Sequence, residues 1–272
     1  MAYRDILLNW LISATVRCHI SIETIVVISL DENLHSFLSK KKINSVYIPP
    51  DSLLDPEARF CVEFERVMII RLTVLRLLSH WGVDVVNYDT DAILLQDPHP
   101  LYSMYEGSDI IGSVGVIPDN LHQEWGITVC IGVVLFRSSP QLEIYWNAMD
   151  DECKKSFDDQ EKLNCGLKAL HIQWMNNDKY TTVAHGTTEN GLQVSVLPYI
   201  YICRLESCTP DQRDTLYIWH RGGSRNIKNK QSEAQYGKTW FLKYGWHMLP
   251  KAESFTGVQW LQSISYWGVT HS

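Results

Sequence analysis

Apolar and polar positions along the chain fall into blocks that predict alternating helices and strands. Residues 3–17, centred on Ile6-Leu7-Leu8-Asn9-Trp10-Leu11-Ile12, read as an amphipathic opening helix. The run Thr24-Ile25-Val26-Val27-Ile28-Ser29-Leu30, ending at Asp31, predicts a buried strand. A short helix and a strand at Ser45-Val46-Tyr47-Ile48 follow. From Phe60 to His80, the residues Phe64, Val67, Met68, Leu72, Leu75 and Leu78 share one broad face of a long helix that stops at Gly82.

Further strands are predicted near residues 109–114 and 127–136, helices near 139–154 and 158–171, and strand-like pieces at 192–197 and 215–219. Asp97-Pro98-His99-Pro100 reads as a stiff turn, because each proline fixes φ and discourages helix before it. Arg221-Gly222-Gly223-Ser224 reads as a polar, glycine-rich loop. Alternation of this kind predicts an α/β fold with a central sheet flanked by helices. No repeat, low-complexity tract or linker interrupts it, so residues 1–272 read as a single domain.

The most chemically suggestive segment is Val85-Val86-Asn87-Tyr88-Asp89-Thr90-Asp91, a hydrophobic strand ending in two carboxylates one residue apart. In an extended backbone such residues point the same way, so Asp89 and Asp91 could share a cation. Hard oxygen ligands suit Mg²⁺ or Mn²⁺, which keep positions open for phosphate oxygens. An acidic pair after a strand is also ordinary solvated loop chemistry, and the bare tripeptide does not choose.

Composition narrows the field. With 45% hydrophobic and 20% charged residues the chain is globular, and a net charge of -7, with Ser39-Lys40-Lys41-Lys42 reading as a solvated turn, argues against nucleic acid as a partner. Seven cysteines, at 18, 61, 130, 153, 165, 203 and 208, lack Cys-x-x-Cys spacing, so zinc is not expected. Both a lumenal setting with one or two disulfides and a reducing cytosol stay open. No apolar run is long enough to span a bilayer, no secretory signal pattern opens the chain, and Asn-x-Ser/Thr sequons are absent.

Asn9-Trp10-Leu11, Leu30-Asp31, Asp89-Thr90-Asp91 running into Asp97-Pro98, Val134-Leu135-Phe136-Arg137-Ser138 and Asp159-Gln160-x-x-Leu163-Asn164 occur in this order. With them the chain resembles the nucleotide-diphospho-sugar transferase family, which includes plant cell-wall xylosyl- and arabinosyltransferases. The resemblance covers nearly the whole chain. It implies a GT-A fold and metal-dependent transfer of a sugar, with retention, from a UDP-sugar to a glycan, glycoprotein or small hydroxyl acceptor. Mn²⁺ or Mg²⁺ would be the cofactor and the Golgi lumen the compartment.

The resemblance also distributes roles. Asp89, Asp91 and His220 would hold the metal, with Asp89 also reaching the ribose hydroxyls. Arg71, Asn164, Gly222, Gly223 and Lys228 would bind the donor, with Lys230 as an alternative to Lys228. Asp159 and Gln160 would act at the transferred sugar. Plainer readings stand beside these: Arg71 as a surface ion pair, Asp158-Asp159 as negative charge at a helix N-terminus, and His220 as a polar residue at a sheet edge.

Two departures are visible. Cys130-Ile131-Gly132 stands where many relatives have Asn-x-Gly, and the chain begins at the helix that follows the family's first strand, so either a truncated N-terminus or residues elsewhere that fill the gap are expected. Alternatives from other classes are a catalytically silent sugar or nucleotide binder and a phosphatase of the haloacid-dehalogenase type, whose nucleophile motif also ends a buried strand.

Overall fold

The apolar runs at 110–136 build the middle of a mixed six-stranded sheet. The computed structural model describes residues 3–49, 52, 63–152, 156–222, 226–244, 247 and 257–266. The chain divides into two compact units: Met1–Pro49 with Thr90–Pro98 and Cys203–Ser272, and Pro50–Asp89 with His99–Ile202.

The second unit contains the sheet. Strands β3 (Val85–Tyr88), β5 (Ile110–Gly115), β6 (Thr128–Phe136), β7 (Gln173–Trp174), β8 (Ala184–Thr187) and β9 (Gln193–Leu197) lie in the order β3-β6-β5-β9-β8-β7. Only β5 and β9 pair in parallel. All nine residues of β6 are buried, as its unbroken apolar run requires of a central strand covered on both faces. Helices α3 (Glu63–His80), α6 (Pro140–Glu152) and α7 (Asp159–Ala169) contribute Leu72, Leu75, Trp146, Met149, Leu163 and Leu167 to the core with it.

The apolar face of α3 runs through Met68, Leu72 and Leu75 with Ile70 beside it. Val67, expected on that face, is 37% exposed, and Ser79 is buried at its far end. The stripe follows steps of four, three and four residues, which Val67 falls beside. The side chain of Phe64 lies outside the described residues.

Register decides where β3 delivers its end. The pairing of β5 with β6 slips between Gly112, opposite Val134, and Ser113, opposite Cys130. On the other side of β6, the Ile131 carbonyl accepts from Asn87 Nδ2 at 2.6 Å and the Gly132 carbonyl from the Asp89 N–H at 2.7 Å. A bulge of this kind re-aims the neighbouring chain, here at Asp89. Arg137, just past β6, donates to the carbonyls of Tyr102, Tyr105 and Ser108 at 3.1, 3.0 and 2.7 Å. It thereby fastens the segment after α4 (His99–Ser103). The Asp97-Pro98 turn leads directly into α4, which tolerates Pro100 because a first-turn proline gives up no helical hydrogen bond. Helix α5 (Asp119–Trp125) follows β5.

The first unit begins with α1 (Arg4–Ile12), extended by a π-helical turn at Ser13–Arg17. Strands β1 (Val27–Ser29) and β2 (Ser45–Tyr47) form a parallel pair around α2 (Glu32–Lys40), which Asp31 caps through Leu34 N at 3.1 Å. The strand expected to be buried over 24–30 is shorter and half open, with Val26 55% and Ile28 40% exposed while Ile25 is buried. Among the described residues it pairs with β2 alone, in a two-stranded ribbon, and an apolar run by itself does not report how many neighbours a strand has. Strands β4 (Ile93–Leu94), β10 (Ile202–Cys203) and β11 (Ile218–Trp219) form a three-stranded sheet with β11 central. Helices α8 (Ile227–Tyr236) and α9 (Gly257–Ser263) complete the unit.

Asn9 is fully buried in α1 and makes three hydrogen bonds to residues more than two hundred positions away. Its Nδ2 donates to the Thr239 carbonyl at 3.0 Å, and its Oδ1 accepts from the N–H groups of Phe241 and Leu242 at 2.6 and 3.3 Å. A disulfide joins Cys203 and Cys208; among the described residues Cys18, Cys130 and Cys165 are free. No described helix is long and apolar enough to cross a membrane.

Candidate active site

In the second unit, α7 begins with two aspartates that take different tasks. Asp158 caps the helix by accepting from Glu161 N at 3.0 Å, while Asp159 turns inward and is only 3% exposed. Arg71, on α3, bridges it to the end of β3: Nε lies 3.3 Å from Asp159 Oδ2, and Nη1 lies 3.1 Å from Asp89 Oδ1. A planar guanidinium suits two carboxylates at a fixed angle. Burial pushes the Asp159 carboxyl up to about 6; Arg71 opposes that shift, and the negative charges of Asp89 and Asp158 add to it.

Gln160 follows on the same turn, its Nε2 donating to the Ile117 carbonyl at 3.1 Å. Gly115 lies under this amide, where a Cβ would come within 2.8 Å of Gln160 Nε2. Asn164 sits four residues on and is wholly buried. Its Oδ1 accepts from Val129 N at 2.8 Å, and its Nδ2 donates to the carbonyls of Val129 and Gln160 at 2.9 and 2.8 Å. This amide ties α7 to β6 and supports the turn that carries Gln160. Cys130, on β6, is 2% exposed.

In the first unit, the register of β4 against β11 assembles the other candidates. Ile93 pairs with Trp219, so Asp91, two residues before the one, and His220, directly after the other, leave the ladder at the same end. Ligand atoms of Asp91 and His220 lie within 4.8 Å of one another. His220 is 1% exposed. Asp91 Oδ2 pairs with Lys230 Nζ of α8 at 2.8 Å, whereas Asp91 Oδ1 is buried with no hydrogen-bond partner. An unmatched carboxylate oxygen beside a buried imidazole is a donor pair that suits a divalent cation, and a buried polar atom left unpaired is costly.

Residues 90 and 91 form a turn, so the alternation of an extended strand does not govern Asp89 and Asp91. Two peptide links nevertheless keep their Cα atoms within about 7 Å whatever the local conformation.

A cavity beside Asp91 is lined by Arg221, Gly222, Lys230 and Glu233 together with Trp219 and Ile93. Burial raises the Glu233 carboxyl, with Asp91 adding to the rise and Arg221 and Lys230 opposing it. Lys228, expected at the diphosphate, is exposed on the first turn of α8, whose Asn226 cap accepts from its N–H at 2.9 Å. Lys230 is the lysine at Asp91. Gly222 has φ +67°, open to glycine and strained for other residues, and a Cβ there would lie 2.5 Å from Arg204 Nη1. Gly223 lies outside the described residues.

Sequence reasoning missed Arg204, Arg221 and Glu233. Arg204 is 7% exposed, and its Nη1 lies 3.1 and 3.2 Å from Nδ1 and Nε2 of His220. Of the three, only Arg221 had a signal in the sequence, its place in the glycine-rich loop Arg221-Gly222-Gly223-Ser224.

A search of curated proteins returned no match. The sequence profile described as nucleotide-diphospho-sugar transferase matches residues 20–247, a span that contains every candidate named above, and the chain belongs to that family of glycosyltransferases acting on nucleotide-sugar donors.

Proposed function

We propose that the protein is a metal-dependent glycosyltransferase that moves a sugar from a UDP-sugar to an acceptor hydroxyl with retention. The observation that carries this is Asp91, whose buried, unmatched Oδ1 lies beside His220 in a chain of this family. Asp89, Asp91 and His220 would hold the cation, Mn²⁺ being favoured over Mg²⁺ by the imidazole. Bound there, the cation would supply positive charge opposite the diphosphate that leaves.

The chain's own groups do the rest. Arg71 holds Asp89 and Asp159 at fixed angles, so the carboxylates are oriented before any donor arrives. Asp159 accepts hydrogen bonds from sugar hydroxyls, and Gln160 presents its amide near the anomeric carbon. Asn164 acts on the donor by holding Gln160. Gly222 lets the backbone approach the diphosphate, a role the sequence also gives to Gly223, and Lys230, with Lys228 further out, balances its charge. A front-face transfer needs no enzyme nucleophile; in a double displacement Asp159 would be the candidate. The Cys203–Cys208 disulfide favours an oxidising compartment, in keeping with the Golgi lumen.

Hydrolysis of a panel of UDP-sugars with Mn²⁺, Mg²⁺ or chelator tests the reading. Release of UDP from one donor, dependent on metal and abolished in Asp91→Asn, is expected. Tight UDP binding without turnover of any donor would identify a silent binder instead. The family assignment is to transferases, and nothing in the site supports the phosphatase reading.

A further inference from the structure

Arg204 is a buried cation whose only hydrogen-bonding partner for the guanidinium, among the described residues, is an imidazole. The residue is 7% exposed, its Nε is buried with no partner, and no described carboxylate pairs with it. A charge taken out of water is costly unless an opposite charge meets it, and a neutral imidazole does not. The protein nevertheless holds the guanidinium there. The Cys203–Cys208 disulfide closes the loop on both sides of it, Ser207 Oγ binds both the Arg204 N–H and its carbonyl at 2.8 and 2.6 Å, and Gly222 leaves room for it.

A neutral imidazole has one nitrogen with a free lone pair. Arg204 Nη1 lies almost equidistant from both ring nitrogens, so whichever of them carries the lone pair, the guanidinium stands against the nitrogen that a metal ion would take. Lys230 stands in the same relation to Asp91, its Nζ 2.8 Å from Oδ2. Protein cations thus stand against both candidate ligands, with Lys230 leaving Asp91 Oδ1 open, and metal entry at His220 sends Arg204 to find another acceptor.

We propose that Arg204 is a donor-binding residue: it guards His220 until metal arrives, then turns to an oxygen of the nucleotide-sugar diphosphate. The inference rests on the transferase reading of Asp91 and His220. A diphosphate provides the counter-charge that Arg204 lacks, and a guanidinium fork with Nε unused can bind phosphate oxygens in pairs. Metal and diphosphate then bind cooperatively, since each makes the other's arrival less costly.

Titrations of the full chain with Mn²⁺ alone, and with inorganic pyrophosphate at saturating Mn²⁺, provide the test. Arg204→Gln should bind Mn²⁺ alone at least three-fold more tightly than wild type and bind pyrophosphate at least ten-fold more weakly. Arg204→Lys should fall between, keeping the charge without the fork. Unchanged pyrophosphate affinity in Arg204→Gln, or weaker Mn²⁺ binding that marks Arg204 as a mere support for His220, would overturn the proposal. If Arg204→Gln does not fold, Arg204→Lys carries the test: pyrophosphate bound at least three-fold more weakly than by wild type is expected, and unchanged affinity overturns the proposal. Wild-type protein that binds neither pyrophosphate nor UDP with Mn²⁺ would overturn the transferase reading itself.

Discussion

Replacing Asp159 by asparagine should stabilise the metal-free protein at neutral pH. Two effects oppose each other at this carboxyl. Burial disfavours its charged form, and the Arg71 guanidinium 3.3 Å away favours it. Burial is the larger, and the carboxyl rises from 3.8 to about 6. That is roughly two pH units at about 1.4 kcal/mol each, or about 3 kcal/mol. The folded state binds this proton more tightly than the unfolded state. The stability it contributes is therefore fully present below pH 3.8 and is lost as pH rises through about 6. Asparagine has the shape of the protonated acid and does not titrate. The variant should match wild type near pH 4 and exceed it by up to about 3 kcal/mol at pH 7.5, a rise of roughly 6 to 12 °C in thermal midpoint for a chain of this size. Urea unfolding in chelator across pH 4–8 measures the difference. A difference independent of pH, or a variant less stable than wild type at pH 7.5, would show that the Arg71 pair outweighs burial and refute the reasoning.

Other consequences are open to measurement. Asn9→Ala leaves two N–H groups and a carbonyl of residues 239–242 unmatched in a buried setting and should cost about 2 to 4 kcal/mol in urea unfolding. Gly115→Ala should push the Gln160 amide off the Ile117 carbonyl and lower the transfer rate at least ten-fold, while UDP affinity by calorimetry changes less than two-fold. The paired change Cys203→Ser with Cys208→Ser opens a short loop and should lower stability by about 2 kcal/mol.

Much of the second unit is legible from residue spacing. The long apolar face of α3, the unbroken run of β6 and the Asp158-Asp159 opening of α7 each commit a segment to one structure, because several local preferences agree. Helix α8 is not legible that way. Ile227–Tyr236 is almost wholly polar, and its start is marked only by the Asn226 cap. Strand β1 has the composition of a central strand and only one described neighbour, since apolar content reports preference for burial and not the supply of partners. At the site, Asp91 and His220 could be proposed from order along the chain, but their nearness follows from the β4–β11 register. Arg204 depended on a long-range contact that no local pattern encodes.

The bonds from Asn9 to residues 239–242 also order events in time. The first unit is assembled from three separated stretches, so it closes only after nearly all the chain has been made, whereas the second unit draws on residues 50–202. Contacts of such long range are slow to form, and a chain made from its N-terminus holds α1 in waiting, with Ile6, Leu8 and Leu11 ready to bind elsewhere. The second unit should therefore protect its amides from hydrogen exchange first during refolding, with β6 ahead of α1. Asp91 and His220 belong to the late unit, so competence to hold a cation reports completion of the fold.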